Sequence, residues 1–587
     1  MTDSLIPRRD LDFLLHDWLK IETVTAQHRF ADLDRATMDA IVDLSRQLAL
    51  DAFLPHYKAA DVHEPRLDVD GVHILPAIGE ALRQYAELGL FAAGFSTELG
   101  GMGLPYLLSS ASFACFASAN VAAAAYPMLP AANARLIVAF GSAAQIEGFA
   151  APQIAGRWFG TMCLSEPQAG SSLADIRTRA VHDGEDEHGV RYRLTGNKMW
   201  ISGGDQDVSE NIVHLVLAKV PLDDGALPEG TEGLSLFIVP KLLADGSRND
   251  LAVAGLNHKM GYRGTANCLL NFGENGGATG WMVGEPGLGL RQMFQMMNEA
   301  RIGVGIGAAC LGYRGYRLSL AYAQERLQGR APGMRGGAPM AIISHPDVRR
   351  MLLQQKAYVE GALALCLYCA RLVDDDVADA DAAALLALLT PVAKTWPSHY
   401  GLAANDIAIQ IHGGYGYTRD FDVEQLYRDN RLNPIHEGTT GIQGMDLVGR
   451  KILRDPDNAY ALLERRIDAT IAAATSDADL APLADDLARA AEQITAAAER
   501  LRAIGGSAAL DNATAFLFAF GHLVVGWQWL DQARAAKLLG TADASFAAGK
   551  VTACRWFFES ELPLIAAWLV PVMAASTIAA DADPAIF

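Results

Sequence analysis

The spacing of hydrophobic and polar positions divides the chain into a helical beginning, a β-rich middle and a helical remainder. The segment DRATMDAIVDLSRQLALDAFLPHY places apolar residues at helical spacing and shows no strand alternation. The segment GMGLPYLLSSASFACFASANVAAAAYPM is typical of buried helices separated by turns. We therefore predict that residues 1–155 form a mainly helical N-terminal domain.

The pattern changes near residue 156. In VRYRLTG, the residues Val190, Tyr192 and Leu194 alternate onto one face of an extended chain. IVHLVLAKV and LSLFIVPK are short apolar runs bounded by Gly, Asp and Pro, which is typical of buried strands. The sequence predicts a β domain over residues 156–280.

Helical spacing returns after the β domain. A long helical pattern without internal Pro leads to the Gly/Pro-rich segment GRAPGMRGGAPM, and two further long helices are predicted at about 346–374 and 379–411. A fourth helix is predicted near Thr440, because Thr440 and Gln443 have the spacing of a capping box. We interpret residues 281–454 as an antiparallel bundle of these helices.

Residues 455–587 predict an additional helical domain. DADLAPLADDLARAAEQITAAAERLRAIGG is amphipathic, and residues 514–575 are strongly apolar at helical spacing. A chain of 587 residues, 51% of them hydrophobic, is long enough for several separate cores. The predicted fold class is therefore α+β and multidomain.

Charge and apolar patterning restrict the partners. The net charge of −20 argues against binding DNA or an anionic membrane surface, although local Arg side chains and backbone N–H groups can still hold a phosphate. The N-terminal sequence lacks the hydrophobic region of a signal peptide. Proline interrupts the most apolar stretches, at Pro127 and Pro130 and at Pro563 and Pro571. We predict a cytoplasmic protein without a membrane span.

The seven cysteines are scattered and odd in number, which argues against a disulfide framework. Cys366 and Cys369 form a C-x-x-C pair inside the apolar run AYVEGALALCLYCARLV, with no second Cys or His pair nearby. We interpret them as packing residues of a buried helix and predict no metal site.

Two segments in the β domain carry polar groups suited to a planar or phosphorylated ligand. MCLSEPQAGSS (162–172) offers the hydroxyls of Ser165 and Ser171 and a glycine-containing backbone, although for this segment taken alone a tight polar turn is the favoured explanation. LTGNKMWISGGD places Trp200 close to Ser202, as if to flank a planar cofactor, although a lone tryptophan is more often a core residue.

Two further segments lie in the helical region. In QIHGGYGYTRD (410–420) the glycines let the backbone approach a ligand, or else mark the end of a helix. In RLNPIHEGTTGIQ, Glu437 follows Pro434 and Ile435. A carboxylate in apolar surroundings has a raised pKa and can act as a base near neutral pH. The alternative is a glutamate favoured at a helix start by the helix dipole.

Together these motifs resemble the acyl-CoA dehydrogenase family over about residues 40–453. The S-E-P-x-A-G-S loop, the G-N-K-x-W-I-S strand, Arg301, the Q-x-x-G-G-x-G-Y turn and the E-G-T loop occur in the family's order and at about its spacing. The resemblance implies a helical N-terminal domain, a β-barrel middle domain and a four-helix bundle. The segment IISHPDVRRML and the region after 455 resemble a larger bacterial branch that includes long-chain and 3-methylmercaptopropionyl-CoA dehydrogenases.

The resemblance also implies roles for individual residues and a bound FAD. Glu437 matches the catalytic base, Gly438 lines the thioester, and Arg301 lies near the active site. Contacts to the flavin are implied for Met162, Leu164, Ser165, Trp200, Ser202 and Thr439. Ser171 matches a contact to flavin or CoA. The residues that would reach the FAD of a neighbouring subunit, and so imply a homodimer, are Arg326, Gln410, Gly413 and Gly414.

The sequence departs from the family pattern at several of these places. Ser165 and Ser202 stand where threonine is frequent, and this change retains the hydroxyl. His436 stands where tyrosine is frequent, at the top of the acyl pocket. Pro346 and Gly441 each replace a common glutamine, and the first replacement removes one FAD contact.

The implied reaction is α,β-oxidation of an acyl-CoA substrate. Glu437 would remove the α proton while a hydride leaves the β carbon for flavin N5, which forms a trans-2-enoyl-CoA. The thioester carbonyl would be held by the backbone N–H of the base and a ribityl hydroxyl, and electrons would pass to an electron-transferring flavoprotein. Some relatives carry the base on the long helix after the β domain. Glu299 is the candidate there, but its offset from Arg301 does not fit.

Four other flavoprotein activities are alternatives to this dehydrogenation. An acyl-CoA oxidase would use the same base with oxygen as acceptor, which the sequence does not distinguish. A nitroalkane oxidase would carry Asp at the base position, and a flavin monooxygenase would lack the carboxylate. A DNA-associated flavoprotein of the alkylation-response type would need a basic C-terminal domain. Residues 451–587 instead hold 11 basic and 17 acidic side chains.

Overall fold

The computed structural model describes residues 4–30, 33–330, 333–334, 336–375 and 379–587. The chain forms two compact units, each assembled from separate stretches. The helical unit comprises Met1–Arg35, Tyr106–Ala114 and Arg301–Phe587, and the mixed unit comprises Ala36–Pro105 and Cys115–Ala300. The expected order of a helical N-terminal region, a β middle region and a helical C-terminal region is confirmed. The four-domain division stays a prediction.

The N-terminal region is mainly helical, as expected. Its longest helix is interrupted at Asn120, whose backbone leaves the helical range and whose Oδ1 accepts the N–H of Ala123 at 3.2 Å. Such a side-chain acceptor starts a new helical segment. The α-helices of this region are α1 (Arg8–Asp12), α2 (Ile21–Thr25), α3 (Arg35–Leu48), α4 (Tyr57–Val62), α5 (Pro76–Glu87), α6 (Tyr106–Phe140), α7 (Ala143–Gln145) and α8 (Ala151–Ile154).

This mainly helical region also contains a short hairpin, which the sequence analysis did not predict. β1 (Arg66–Asp68) pairs antiparallel with β2 (Gly71–His73), with Leu67 opposite Val72. The two-residue connection is followed by Gly71, whose φ of +130° is open to glycine without strain. Two three-residue strands are too short to show an alternating pattern in the sequence.

The middle region forms one sheet in the order β10–β7–β6–β4–β5–β9–β8. β3 pairs parallel with β6, and β10 pairs with β5 as well as β7. The closed barrel expected from the sequence stays a prediction. The strands are β3 (Trp158–Cys163), β4 (Arg179–Asp186), β5 (Gly189–Ser202), β6 (Asn211–Lys219), β7 (Leu234–Pro240), β8 (Leu251–Leu256), β9 (Asn267–Phe272) and β10 (Ala278–Met282).

The core of the mixed unit explains why β6 and β7 are continuously apolar. Every residue of both strands is buried, and a strand covered on both faces needs no polar side. Leu215 and Ile238 lie in one core cluster with Ile137 and Phe149 from the preceding helical region. The sheet therefore packs against helices of its own unit.

The C-terminal region is helical throughout its described residues. Part of the Gly/Pro-rich segment 329–340 falls outside the described residues, at 331–332 and 335. The four-helix bundle stays a prediction. The α-helices are α9 (Gly289–Glu325), α10 (Pro346–Asp375), α11 (Ala380–His412), α12 (Val423–Asn430), α13 (Thr440–Asp446), α14 (Ala459–Ala474), α15 (Ala481–Ile504), α16 (Ala513–Lys537), α17 (Ala544–Ser560) and α18 (Leu564–Met573).

The helices after residue 455 pack within the helical unit. Trp529 of α16 is fully buried and its indole N–H donates to the carbonyl of Ala357 in α10 at 3.1 Å. Gly361 makes this approach possible, because a Cβ there would lie 2.8 Å from the Trp529 indole nitrogen. The amphipathic and apolar helices expected after residue 455 are therefore confirmed, and they share a core with α10.

The cysteines match the expectation from the sequence. All seven are free and buried. Burial raises the pKa of Cys366 and Cys369 well above the ordinary value for a thiol. The interpretation of the C-x-x-C pair as packing residues is confirmed.

Three stretches are long and apolar enough to cross a membrane by length and composition alone. They are Tyr106–Phe140, Ala513–Lys537 and Thr541–Met573. Their most apolar windows are 89%, 83% and 39% buried within the protein. The expected absence of a membrane span stays a prediction.

Candidate functional site

The loop 162–172 of the mixed unit is held by a buried ion pair at its base. The ammonium of Lys198 lies 3.0 Å from a carboxylate oxygen of Glu166 and donates to the carbonyl of Leu164 at 3.0 Å. The same carboxylate accepts the N–H groups of Arg177 and Thr178 at 2.7 and 3.0 Å. Burial alone would raise the pKa of Glu166, but Lys198 and these donors lower it to about 2. The loop is thus fixed by residues that the sequence reading did not assign.

A β-bulge places Trp200 at the end of the neighbouring strand. The register of β5 against β9 shifts between Lys198 and Ile201, and Trp200 has a left-handed φ of +66° and is 59% exposed. A bulge of this kind redirects a side chain out of the sheet pattern. The N–H of Met199 donates to the carbonyl of Ser165 at 3.0 Å. The bulge and the loop are therefore joined.

The residues assigned to flavin contacts in this unit come together around that junction. Met162, Leu164 and Ser165 lie at the end of β3 and the start of the loop, next to the bulge that carries Trp200. The hydroxyl of Ser202 accepts the side-chain amide of Asn267 at 3.3 Å. Trp200 is not a core residue, which removes the main alternative for it.

The same surface fits a flavin cofactor. Trp200 offers an exposed aromatic side chain, and Ser171 is exposed on the loop beside Gly170. A Cβ at Gly170 would meet nothing within 4 Å, so the backbone is open to close approach. An exposed aromatic side chain beside an exposed hydroxyl suits a planar ring with polar edges.

The turn that carries Glu437 is strained and held by side chains of its own unit. Glu437 has a φ of +55°, a conformation that costs free energy for a residue other than glycine. Its carbonyl accepts the side-chain amide of Gln443 at 3.0 Å, and the carbonyl of Gly438 accepts the ammonium of Lys394 at 2.6 Å. Strain that is retained by dedicated hydrogen bonds is typical of functional sites.

The predicted capping box at Thr440 and Gln443 is wrong. Thr439 is the N-cap residue of α13, and no side chain caps the helix. Gln443 bonds the Glu437 carbonyl instead, and the Thr440 hydroxyl lies 2.8 Å from a ring nitrogen of His399. Both side chains hold the turn. The capping box does not form because Thr440 and Gln443 bond to residues outside the helix start instead.

A buried asparagine network supports the residues before this turn. The side-chain amide of Asn433 donates to Asn430 at 2.8 Å, and that of Asn430 donates to Asn405 of α11 at 2.7 Å. Asn430 and Asn405 also donate to the carbonyls of Ala308 and Leu311 in α9. All three asparagines are fully buried. A satisfied polar network of this kind specifies one arrangement of the helices it joins.

The charges around Glu437 set its proton affinity. Burial raises the pKa of Glu437 above its ordinary value, and Arg301 and Lys394 oppose that rise. Arg301 is 6% exposed, and its guanidinium pairs with Asp446 at 3.0 Å. The charge of Arg301 therefore acts on Glu437, and its role near the active site stays a prediction. Thr439 is exposed beside Gly438.

The remaining assigned residues form a second group in the helical unit, in which Gln410, Gly413 and Gly414 are exposed and Arg326 is half-buried. Gln410 lies near the end of α11, and Gly413 and Gly414 follow with no atom within 4 Å of an added Cβ. The guanidinium of Arg326 lies 5.8 Å from the ring centre of Tyr415. The glycine turn ends α11 and also presents an open surface.

The alternative base is already occupied by an ion pair. Glu299 pairs with Arg135 in the mixed unit, and both side chains are largely buried. To accept a proton from a substrate, the Glu299 carboxylate would have to give up this ion pair with Arg135. This pairing favours Glu437 over Glu299.

Several contributing residues were missed by the sequence reading. Lys198 and Lys394 are both buried. For Lys394 the sequence carried a signal, because this lysine lies inside an apolar run. Glu166 lies in the S-E-P-x-A-G-S loop, but the sequence analysis gave it no role in holding that loop. The buried asparagines gave no comparable signal, because isolated asparagines are common at helix ends.

Comparison with known proteins identifies the family. The models described as "Acyl-CoA dehydrogenase, N-terminal domain", "Acyl-CoA dehydrogenase, middle domain" and "Acyl-CoA dehydrogenase, C-terminal domain" match residues 37–157, 161–274 and 287–453. A fourth, "Acetyl-CoA dehydrogenase C-terminal like", matches residues 463–583. Together they cover most of the chain, including the segment after 455.

Similar proteins support the same conclusion. The chain is 34% identical to the 3-methylmercaptopropionyl-CoA dehydrogenase of Ruegeria pomeroyi, over 95% of each chain. It is 33% identical to the broad-specificity linear acyl-CoA dehydrogenase FadE5 of Mycobacterium tuberculosis, again over 95% of each. The fold matches an acyl-CoA dehydrogenase from Bacillus anthracis complexed with FAD, with TM-score 0.76, 21% identity and coverage of 94% and 90% of the two chains. The chain belongs to the acyl-CoA dehydrogenase family, whose members are FAD-dependent oxidoreductases acting on the CH–CH group of acyl-CoA thioesters.

Proposed function

We propose that this protein oxidises the α,β bond of an acyl-CoA thioester to a trans-2-enoyl-CoA, with Glu437 as the base. The observation that carries the proposal is the strained turn at Glu437. The Glu437 carboxyl has a raised pKa and feels the charges of Arg301 and Lys394, and side-chain hydrogen bonds hold the carbonyls of Glu437 and Gly438.

The residues that would hold FAD are those of the loop and bulge in the mixed unit. Met162, Leu164, Ser165, Trp200 and Ser202 would contact the flavin ring. Ser171 would meet the flavin or CoA. When bound, FAD supplies the hydride acceptor, N5.

Glu437 performs the proton transfer. The α proton of a thioester is weakly acidic, so an efficient base needs a pKa nearer neutral than that of an exposed glutamate. Burial provides this rise, and Arg301 and Lys394 keep the carboxylate form accessible. Gly438, which would line the thioester, has a φ of +93°, and an added Cβ there would lie 2.6 Å from the amide nitrogen of Gln443, so the turn requires glycine.

Three further proposals follow from the same assignment. The group of Arg326, Gln410, Gly413 and Gly414 supports a homodimer in which it contacts a neighbouring subunit's FAD. Electron-transferring flavoprotein is the proposed acceptor. A reducing, cytoplasmic location is supported by seven free cysteines.

The test is anaerobic bleaching of the bound flavin by a panel of acyl-CoA substrates, including short linear, long linear and methylmercaptopropionyl thioesters. Purified protein should be yellow, and at least one substrate should bleach it. Glu437→Gln should retain FAD and lose bleaching by on the order of 10²-fold or more, because an amide cannot accept the α proton.

Glu299→Gln is the matched control and should bleach at a rate close to wild type. A colourless protein that takes up no added FAD would overturn the cofactor assignment. Bleaching that survives in Glu437→Gln and disappears in Glu299→Gln would move the base to Glu299.

A further inference from the structure

Lys394 is a buried lysine directed at the turn that carries Glu437. It lies in α11 within the apolar stretch LLTPVAKTW, and its side chain is fully buried. Its ammonium donates to the carbonyl of Gly438 at 2.6 Å. Lysine is rarely fully buried, because moving an ammonium out of water is costly. Its position therefore calls for a specific compensating interaction.

The Lys394 ammonium has no dedicated counter-ion. Among the described residues it forms no ion pair, whereas the neighbouring Arg301 is matched by Asp446. Burial lowers the pKa of Lys394 to about 8; the charge of Glu437 opposes this shift and that of Arg301 adds to it. The interaction that favours the charged lysine is therefore the one with the carboxylate of Glu437.

The hydrogen bond to Gly438 also has a mechanical consequence. Glu437 and Gly438 both have left-handed φ values, +55° and +93°. A left-handed glutamate persists only where the surroundings determine it. Gln443 holds the Glu437 carbonyl from α13, and Lys394 holds the next carbonyl from α11. The turn is fixed from two helices.

We propose that Lys394 is the positioning residue of the catalytic turn: its ammonium fixes the Gly438 carbonyl, and its charge keeps Glu437 as the carboxylate that accepts a proton. The inference rests on the proposed role of Glu437 as the base. Lys394, which lies outside the recognised motifs, would then control the pH range in which Glu437 acts as a base.

The two histidines near the turn titrate below the pH range in which Glu437 and Lys394 are expected to change charge. Burial, followed by the charge of Lys394, lowers the pKa of both His399 and His436 to about 4, so both are neutral above pH 5. The charge of Arg301 is matched by Asp446, which Arg450 also approaches. Arg431 lies on the loop before His436, and its charge also contributes to the lowered pKa of His399. Between pH 5 and 9, titration at this site is therefore left to Glu437 and Lys394.

The test separates the charge of Lys394 from its hydrogen bond. Lys394→Met removes both, Lys394→Gln retains a donor without charge, and Lys394→Arg retains charge. The first readout is the protonated-carboxyl infrared band of Glu437 in the FAD-bound protein. It is isolated by subtracting the spectrum of the matching Glu437→Gln protein and followed against pH. The second readout is the pH profile of flavin bleaching by the best acyl-CoA.

The expected results differ among the variants. Removing a nearby positive charge raises a carboxyl pKa, so Met and Gln should move the infrared midpoint upward by about one pH unit or more. Each unit lowers the ionised fraction, and so the bleaching rate, roughly tenfold below the midpoint. Above about pH 8 the Gln variant should approach wild type, while Met stays slower because the Gly438 carbonyl has lost its donor. The Lys394→Arg variant should keep the infrared midpoint of the wild-type protein, because it retains the positive charge.

Lys451→Met is the control, because it removes a half-buried lysine nearby on the chain without a bond to the turn. It should leave both profiles unchanged. An infrared midpoint that is the same in wild type, Met and Gln overturns the proposal. If Met does not fold, the comparison of Gln with Arg decides the question. If no acyl-CoA bleaches wild type, the proposed function fails, while the infrared titration still reports whether Lys394 controls Glu437.

Discussion

Lys550 is expected to join the C-terminal helices to the start of the chain, and its replacement should destabilise the helical unit. Its ammonium lies 2.8 Å from a carboxylate oxygen of Glu360 in α10 and 3.1 Å from one of Asp10 in α1. Lys550 is 1% exposed and its two partners are also buried. Lys550→Met retains most of the side-chain volume and leaves both carboxylates without this cation.

The structure sets the size of the effect. Removing one partner of a buried ion pair costs about 3–5 kcal/mol, because the remaining charge stays desolvated. Here Lys356 still pairs with Glu360, and the Tyr313 hydroxyl still donates to Asp10 at 2.6 Å. Both residual contacts reduce the loss, so we expect a decrease in the free energy of unfolding near the lower limit, about 3 kcal/mol.

The measurement is urea unfolding of the FAD-bound protein at pH 7, followed by tryptophan fluorescence. Hydrogen exchange over Arg8–Trp18 provides a local readout and should become faster. Lys537→Met is the matched control, since the same substitution breaks ion pairs with Asp477 and Asp479 at the surface, where side chains are up to 75% exposed. Surface pairs contribute about 0–1 kcal/mol.

The reasoning would be refuted if Lys550→Met cost no more than Lys537→Met. It would also be refuted if exchange over Arg8–Trp18 were unchanged. Either result would mean that the buried cluster is a consequence of packing and adds nothing to the stability of the helical unit.

Three other expectations follow from the structure. Because the pKa of Glu166 is lowered to about 2, its ion pair should stabilise the loop above about pH 4.5 and lose that effect as the pH falls towards 2. Glu166→Gln should remove this part of the acid dependence of FAD release, and an unchanged dependence would contradict the role. Light scattering should give at least a dimer, and a stable FAD-saturated monomer would contradict the assignment of Arg326 and Gln410. Cys366 and Cys369 should react with a thiol reagent only after unfolding, since both are fully buried; rapid reaction in the native protein would argue against packing.

Local periodicity in the sequence predicted most of the helices and strands. The apolar runs around Leu215 and Ile238 identified β6 and β7, and helical spacing identified α10 and α11 to within a few residues. Glu437 and Trp200 were both singled out from short motifs. Side-chain spacing and turn residues are properties of contiguous segments, so they can be read without the fold.

The tertiary structure alone decided how those residues are held. The left-handed φ of Trp200 and Glu437 depends on a bulge and on hydrogen bonds from distant side chains, and no local pattern records it. The capping box failed for the same reason, because the Glu437 carbonyl competed for Gln443. The apolar run around Lys394 suggested its burial, but its contact with the Gly438 carbonyl depends on packing between distant segments. The sequence by itself therefore determined which segments form helices, strands and motifs. The packing of segments far apart along the chain decided backbone strain, burial and charge, because those depend on neighbours brought together only by folding.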